Sequence, residues 1–240
     1  MVVKKRAVGQ LKGCIDVVVM DYDRTIADEA LNFMISESVK KKLKSSKSYM
    51  LVLATGRKYE DIPDRDVVDI FDAILSENGT ILTTDRGKTR RLLIEPQWLV
   101  FREKLVKLLC EKGIIHFVGD AILAAMKSDS DAIGRAFAEA GVLFDVSIEY
   151  NKEGLLILPT GWNKGRGTRV ALKGLGDCRI IAVGDDLNDL SLYDIADVRV
   201  AVKNAVPELK NRAEIICGKE NGEGVVEAMM ELCGRQGCED

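Results

Sequence analysis

The stretch Ile15-Asp16-Val17-Val18-Val19-Met20-Asp21-Tyr22-Asp23-Arg24-Thr25 is a short, β-branched apolar run that stops abruptly on a pair of aspartates. Such a run reads as a strand buried on both faces, the kind found in parallel sheets covered by helices. The chain then repeats the theme. Ser36 to Leu43 is lysine-rich and helical in pattern, and Met50 to Ala54 is a second buried strand ending at Thr55-Gly56-Arg57. Strand, helix, strand is a βαβ unit. Ala73 to Leu75 forms a third short strand, followed by the turn Glu77-Asn78-Gly79 and a strand from Thr80 to Thr83.

Beyond Thr84 the texture changes. Leu92 to Ile94, Ile114 to Val118, Ala121 to Met126 and Val142 to Ile148 read as strands, with amphipathic helices near Trp98 to Cys110 and Asp129 to Ala140. Gly119-Asp120 joins two of these strands closely enough for a hairpin, which parallel crossovers do not use. From Leu155 the first texture returns. Strands at Leu155 to Leu158, Arg179 to Val183, Val198 to Val202 and Glu214 to Ile216 alternate with helices at Lys164 to Lys173, Leu187 to Tyr193, Ala205 to Arg212 and Gly224 to Leu232. The expected organisation is an α/β core split in sequence, residues 1–83 and 154–240, with an α+β insert at 84–153 built on an antiparallel sheet.

With 240 residues, 47% hydrophobic and 30% charged, the chain has the composition of an ordinary globular protein. Folding at this length buries roughly 70–75% of the unfolded surface, enough for a large core and a smaller satellite. The net charge of -3 gives no support for nucleic acid as a partner. No apolar stretch long enough for a signal peptide or a membrane span follows the basic Lys4, Lys5 and Arg6, so the cytoplasm is the default. The cysteines Cys14, Cys110, Cys178, Cys217, Cys233 and Cys238 form no CxxC pair, and neither a disulfide framework nor a zinc site is favoured. Cys14 and Cys178 flank apolar runs and read as buried thiols. His116 is the only histidine, which leaves little material for His-rich metal sites or Ser-His-Asp triads.

Functional groups of an open parallel sheet collect beyond the carboxyl ends of its strands. Polar residues of one kind recur there: Asp21, Asp23 and Thr25; Thr55; Lys164 after the Leu155 strand; and Asp185, Asp186, Asn188 and Asp189. Each alone reads equally well as a helix cap or a turn former. Together they crowd carboxylates into one crevice, and like charges so crowded call for a cation. Mg²⁺ suits such a site, since it takes oxygen ligands and tolerates few carboxylates alongside water and phosphate. Carboxylates, a hydroxyl at Thr55, an ammonium at Lys164 and a metal make a complete set for phosphoryl transfer, with Asp21 attacking in line to give an aspartyl phosphate.

Asp21-Tyr22-Asp23-Arg24-Thr25, Leu53-Ala54-Thr55-Gly56-Arg57, Asn163-Lys164-Gly165 and Gly184-Asp185-Asp186-Leu187-Asn188-Asp189 resemble, in order, the four motifs of the haloacid-dehalogenase superfamily in its phosphatase branch. The insert falls between the second and third motifs, where the branch with the larger α/β cap (the C2 type) carries it, and Glu77-Asn78-Gly79 matches a turn common there. The resemblance implies a Rossmann-like parallel-sheet core with an inserted α+β cap. It implies that Asp21 is the nucleophile, and that Asp23 protonates the leaving alcohol and then activates water. The first of these tasks requires the acid form, which cap closure and an approaching phosphate dianion favour. Thr55, with Gly56 beside it, and Lys164 would hold the phosphoryl group, and Asn188 would reach the phosphate or Lys164. Metal ligation would come from Asp21, the Asp23 carbonyl and Asp185, with Asp189 as a ligand or a neighbour of one. Arg24 stands where the family usually has glycine. It is read first as a solvent-directed side chain, with contact to the substrate's anionic end as the alternative.

Relatives with this plan resemble archaeal-type phosphoglycolate phosphatases and Cof-like sugar-phosphate phosphatases of carbohydrate metabolism. The expectation is therefore a small phosphorylated metabolite as substrate, best 2-phosphoglycolate, with no nucleic-acid or membrane partner and a monomer or homodimer. A phosphomannomutase-like phosphotransferase is the alternative enzyme. A receiver domain needs roughly half this length and has no use for Gly184 to Asp189. Candidate substrate contacts in the cap are Lys88, Arg90, Arg91, His116, Lys127 and Arg135, most of which read as solvated charges. Trp98 and Phe101 share one helix face and read as cap core.

Overall fold

A computed structural model describes residues 15–151 and 154–236, which leaves Cys14, Cys238 and the basic residues Lys4, Lys5 and Arg6 outside the described residues. The chain opens with β1 (Ile15–Met20), α1 (Glu37–Ser45), β2 (Met50–Ala54), α2 (Val67–Ile70), β3 (Ala73–Ser76), β4 (Ile81–Thr84) and β5 (Thr89–Leu92). It continues through α3 (Gln97–Glu111), β6 (His116–Val118), β7 (Leu123–Met126), α4 (Ser130–Glu139), β8 (Val146–Tyr150) and β9 (Gly154–Pro159). It ends with α5 (Lys164–Leu172), β10 (Cys178–Gly184), α6 (Leu190–Tyr193), β11 (Val198–Ala201), α7 (Pro207–Lys210), β12 (Ile215–Ile216) and α8 (Asn221–Gln236).

Eight strands form one sheet in the order β12-β11-β10-β1-β2-β3-β4-β5. The pairs from β12 to β3 are parallel, and β4 and β5 close one edge as antiparallel strands. Val17 to Met20 are completely buried, as a strand covered on both faces requires. Helix α1 starts on Ser36, whose hydroxyl accepts from the Val39 N–H, and turns Val39 and Leu43 inward. The second sheet has the order β6-β7-β9-β8 and is antiparallel throughout. One of its faces packs with α3 and α4 through Trp98, Leu105, Ile133 and Phe137. Trp98 and Phe101 lie in that core with their rings 5.7 Å apart, and His116 is half-buried with Nδ1 2.9 Å from the Ile114 carbonyl. Cys178 is half-buried rather than sealed in the interior.

The structure differs from the sequence expectation at both edges of the insert. Thr89–Leu92 pairs with β4 in the large sheet, so the first core segment runs past the change of texture at Thr84. Leu155 to Leu158, read as a return to the core, belongs to the second sheet, where β9 lies between β7 and β8. Periodicity could not distinguish the two, because a strand in the middle of either sheet is apolar on both faces: Leu155, Ile157 and Leu158 are fully buried and Leu156 nearly so.

A buried carboxylate helps tie the two sheets together. Glu77, buried in the turn after β3, accepts the N–H groups of Asp120 at 2.9 Å, Ala121 at 2.8 Å and Ile122 at 2.9 Å. Asp120 in turn meets Lys58 of the core at 2.7 Å and also Arg90 of β5.

Candidate active site

The carboxyl ends of β1, β2 and β10 lie side by side because β1 is hydrogen-bonded to both of the others. Asp21 follows β1, Thr55 follows β2, and Asp185 to Asp189 follow β10. Lys164 reaches the same place from elsewhere. It opens α5, immediately after the return from the second sheet, and not from the end of a core strand. Asn163 caps that helix by accepting the Arg166 N–H at 2.8 Å. The first turn of α5 lies hard against the turn after β3: a Cβ on Gly167 would fall 2.2 Å from the Gly79 carbonyl oxygen. A larger residue at Gly167 would push Lys164 away from the strand ends.

The Lys164 ammonium is fully buried and donates to Asp21 Oδ1 at 2.5 Å and to Asp189 Oδ1 at 2.7 Å. A cation in the first turn of a helix opposes the helix dipole, and burial disfavours it further. The two carboxylates offset both effects: burial alone would lower the Lys164 pKa, yet Asp189 and Asp21 hold it above its ordinary value. The other Asp189 oxygen accepts the N–H groups of Asp185 at 3.0 Å and Asp186 at 3.2 Å. Gly184 makes room for this, since a Cβ there would lie 2.5 Å from Asp189 Oδ2. Asp189 is thus the brace that ties the loop after β10 to Lys164.

Asp21, Asp185 and Asp189 each present a carboxylate oxygen, all within 4.8 Å of one another. Burial pushes the Asp21 carboxyl well above the usual carboxylate range; Lys164 opposes the shift and the neighbouring carboxylates add to it. Burial, with Asp189 beside it, likewise raises Asp185 to about 7 against the pull of Arg24. Buried hard-oxygen donors that favour protons when no cation is present are a donor set suited to a small divalent cation. Thr25 donates to Asp185 Oδ1 at 3.1 Å. Arg24 is not turned to solvent: its Nη1 lies 3.2 Å from Asp185 Oδ2. Its φ of 58° explains the family's preference for glycine at this place.

Thr55 is buried, and its Oγ1 accepts the Arg57 N–H at 3.1 Å. Asp23 is partly exposed and held by Arg57, with Nε 2.9 Å from both carboxylate oxygens and Nη2 2.7 Å from one. Asp23 and Arg57 open on a cavity of about 420 Å³ whose lining includes Asp21, Gly56 and Asn188 from the core, Asn151 just after β8 and Gly154 at the start of β9. Of the core residues singled out in the sequence, Asp21, Asp23, Gly56, Asp185, Asp186 and Asn188 line this cavity, Lys164 and Asp189 are buried against Asp21 and Asp185, and Thr55 is buried next to Gly56. The residues read as cap contacts stand apart, and two of them, Arg90 and Arg91, lie on β5 of the large sheet. Lys88, Arg90, Arg91, His116, Lys127 and Arg135 do not line the cavity; Arg90 is spent on Glu60 and Asp120, and Lys127 lies 5.9 Å from the Tyr150 ring centre. The cap contributes Asn151 and Gly154 in their place. Arg57, quoted in a motif but given no role, and Glu77, read only as part of a turn, were also missed. The signal for Asn151 was faint, a polar residue at a hairpin turn, and nothing local in the sequence says which turn folds over the site.

A parallel sheet with buried carboxylates and a lysine at its carboxyl edge, and a second sheet folded over them, defines a class of phosphoryl-handling hydrolases. The comparisons agree with that class. The model of the haloacid dehalogenase-like hydrolases matches residues 114–229. The phosphoglycolate phosphatase of Sulfurisphaera tokodaii is 31% identical over 226 residues, covering 90% of this chain and 93% of that protein. Phosphoglycolate phosphatase 2 of Saccharolobus solfataricus is 35% identical over 232 residues, covering 90% and 91%. Among solved structures, a haloacid dehalogenase-like hydrolase from Bacteroides thetaiotaomicron superposes with a TM-score of 0.72 at 20% identity, covering 90% of this chain and 99% of that one. The sucrose-phosphatase of Synechocystis superposes with a TM-score of 0.66 at 18% identity, covering 91% and 98%. The chain belongs to the haloacid dehalogenase-like hydrolases. Within that family it is a phosphatase with an α/β cap, similar over most of its length to archaeal phosphoglycolate phosphatases.

Proposed function

We propose that this phosphatase is a Mg²⁺-dependent phosphomonoesterase that hydrolyses a small phosphorylated metabolite through an aspartyl phosphate on Asp21, with 2-phosphoglycolate as the leading substrate. The observation that carries the reading is the buried Lys164 ammonium between Asp21 and Asp189, beside a cluster of carboxylates fit for a cation. Asp21 and Asp185 would hold the metal, together with the Asp23 carbonyl, and Asp189 would keep Asp185 and Lys164 in place. When bound, the cation neutralises charge on the phosphoryl oxygens.

Lys164 orients the Asp21 carboxylate and, with the Thr55 hydroxyl and the backbone at Gly56, receives phosphoryl oxygens. Asp21 Oδ forms a bond to phosphorus as the bond to the leaving oxygen breaks, and Asp23 delivers a proton to that oxygen. Asp23 then takes a proton from a water whose oxygen attacks phosphorus, which releases phosphate and restores Asp21. Such positioned proton transfer contributes ~10²–10⁴-fold. Asn188, buried at the cavity wall, is the further candidate for a phosphoryl contact. The two curated relatives named above, both phosphoglycolate phosphatases, support the choice of substrate. A cavity of about 420 Å³ is roomier than a two-carbon acid requires and favours sugar phosphates as the second reading. Transfer to a sugar-phosphate acceptor, the third, predicts little phosphate release to water.

The test is a phosphate-release screen over 2-phosphoglycolate, sugar phosphates, nucleotides and an aryl phosphate, with Mg²⁺ and then with chelator. Mg²⁺-dependent release that is strongest on 2-phosphoglycolate is the expected result. Release that persists in chelator, or in Asp21→Asn, overturns the mechanism.

A further inference from the structure

Arg57 lines the cavity beside Asp21 and Asp23. Its Nε and Nη2 grip the Asp23 carboxylate, and its Nη1 donates to the Asp61 carbonyl at 3.3 Å. The guanidinium also lies over two rings, with its central carbon 5.0 Å from the centre of the Phe33 ring and 5.9 Å from that of Tyr22. A guanidinium carries five N–H groups. These contacts leave one on each terminal nitrogen without a partner among the described residues, and Arg57 lines the cavity. Arg24, the other cation in that lining, is turned to Asp185 and Glu29.

Asp23 has to face the leaving oxygen in order to protonate it, so whatever the leaving alcohol carries on its first carbon comes close to the group that holds Asp23. A carboxylate on that carbon is only two bonds from the leaving oxygen. We infer that Arg57 is a specificity-determining residue: it keeps one edge on Asp23 and uses its remaining N–H groups to bind a carboxylate on the carbon that bears the phosphate ester. The substrate class is then the phosphate esters of small 2-hydroxy acids, in preference to those of neutral polyols. The inference rests on the phosphatase reading, with Asp23 at the leaving group, and adds to it the group that recognises the substrate. A planar guanidinium already held by a carboxylate and lying against two aromatic rings loses little freedom in taking a second anion.

The test is steady-state kinetics of the Mg²⁺-loaded full chain on 2-phosphoglycolate and on its neutral amide, in the wild type, Arg57→Gln and Arg57→Lys. Charge-assisted hydrogen bonds of this kind should make wild-type kcat/KM about 10- to 100-fold higher for the carboxylate. Arg57→Gln should bring that ratio close to one, chiefly by raising KM for the carboxylate, and Arg57→Lys should keep part of it. If Arg57 only positions Asp23, Arg57→Gln lowers kcat on both compounds alike and leaves the ratio unmoved, which overturns the inference. A wild type that does not discriminate between the compounds also overturns it while the phosphatase reading stands. No release from these or from an aryl phosphate overturns both.

Discussion

The two sheets bury comparable strands for different ends. In the large sheet, β1 and β2 are covered on both faces, and the polar groups are pushed to the carboxyl edge. In the small sheet, α3 and α4 cover one face, while the other looks toward the core around Leu156, whose Cδ1 would lie 3.2 Å from a Cβ on Gly56. The same open face carries Phe117, paired through Ala124 with Leu156 and largely exposed. Charge is concentrated in one region and shape in the other. Under the proposed mechanism the buried carboxylates and Lys164 carry the reaction, and Asn151 and Gly154, which line the cavity from the small sheet, bear on what fits above them.

If the chemistry resides wholly in the core edge, Asp21→Asn should lower kcat by on the order of 10⁴-fold or more while leaving the fold intact. Circular dichroism and phosphate release on the same preparation check this, and appreciable residual turnover would move the nucleophile elsewhere.

The junction between the regions comes next. Glu77→Ala strands the N–H groups of Asp120, Ala121 and Ile122, and should cost roughly 3 kcal/mol or more of stability. Denaturant melts should also show the small sheet loosening before the large one, and a single unchanged transition would mean that Glu77 is not the tie.

The third prediction concerns acidity. Because Asp185 is raised to about 7 and Asp21 is raised as well, the folded protein without metal binds more protons than the unfolded chain between the ordinary carboxylate range and about pH 7. Its stability therefore falls as pH rises through that window. A divalent cation must displace those protons, so its affinity should weaken by up to about tenfold for each pH unit below 7 per proton displaced. Thermal melts with and without Mg²⁺ should show a larger metal-induced rise at pH 7.5 than at pH 5, and equal rises would count against this cluster as the metal site.

The smallest effect belongs to the cap. Asn151→Ala should change KM a few-fold with kcat nearly constant, as expected for a group that binds ground and transition states alike. A kcat effect of the Asp21 order would erase the division of labour between the two regions.

Much of the molecule is legible in its sequence. Asp21, Asp23, Thr55, Lys164, Asp185 and Asp189 stand out in the sequence only as a set, because polar groups recur after apolar strands and the order of their motifs resembles a known family. The apolar runs also place β1, β2 and β10 correctly. Local pattern fixes such features because each follows from burial or desolvation of the residues themselves.

The sequence is silent wherever two distant segments have to meet. Leu155 to Leu158 has the same pattern in either sheet, so only the pairing of β9 with β7 and β8 assigns it to the cap. That assignment moves Lys164 from a core strand end to the start of a helix that returns from the cap. Arg24 has a positive φ and a carboxylate partner 161 residues away at Asp185, neither visible in its neighbours. Glu77 finds its donors in the cap, and Arg57 finds Asp23 across two strand ends. The sequence by itself determined which groups must be buried or neutralised. Only the tertiary structure decided which partner does the neutralising, since opposite charges and hydrogen-bonding groups act over a few ångströms of space regardless of their separation along the chain.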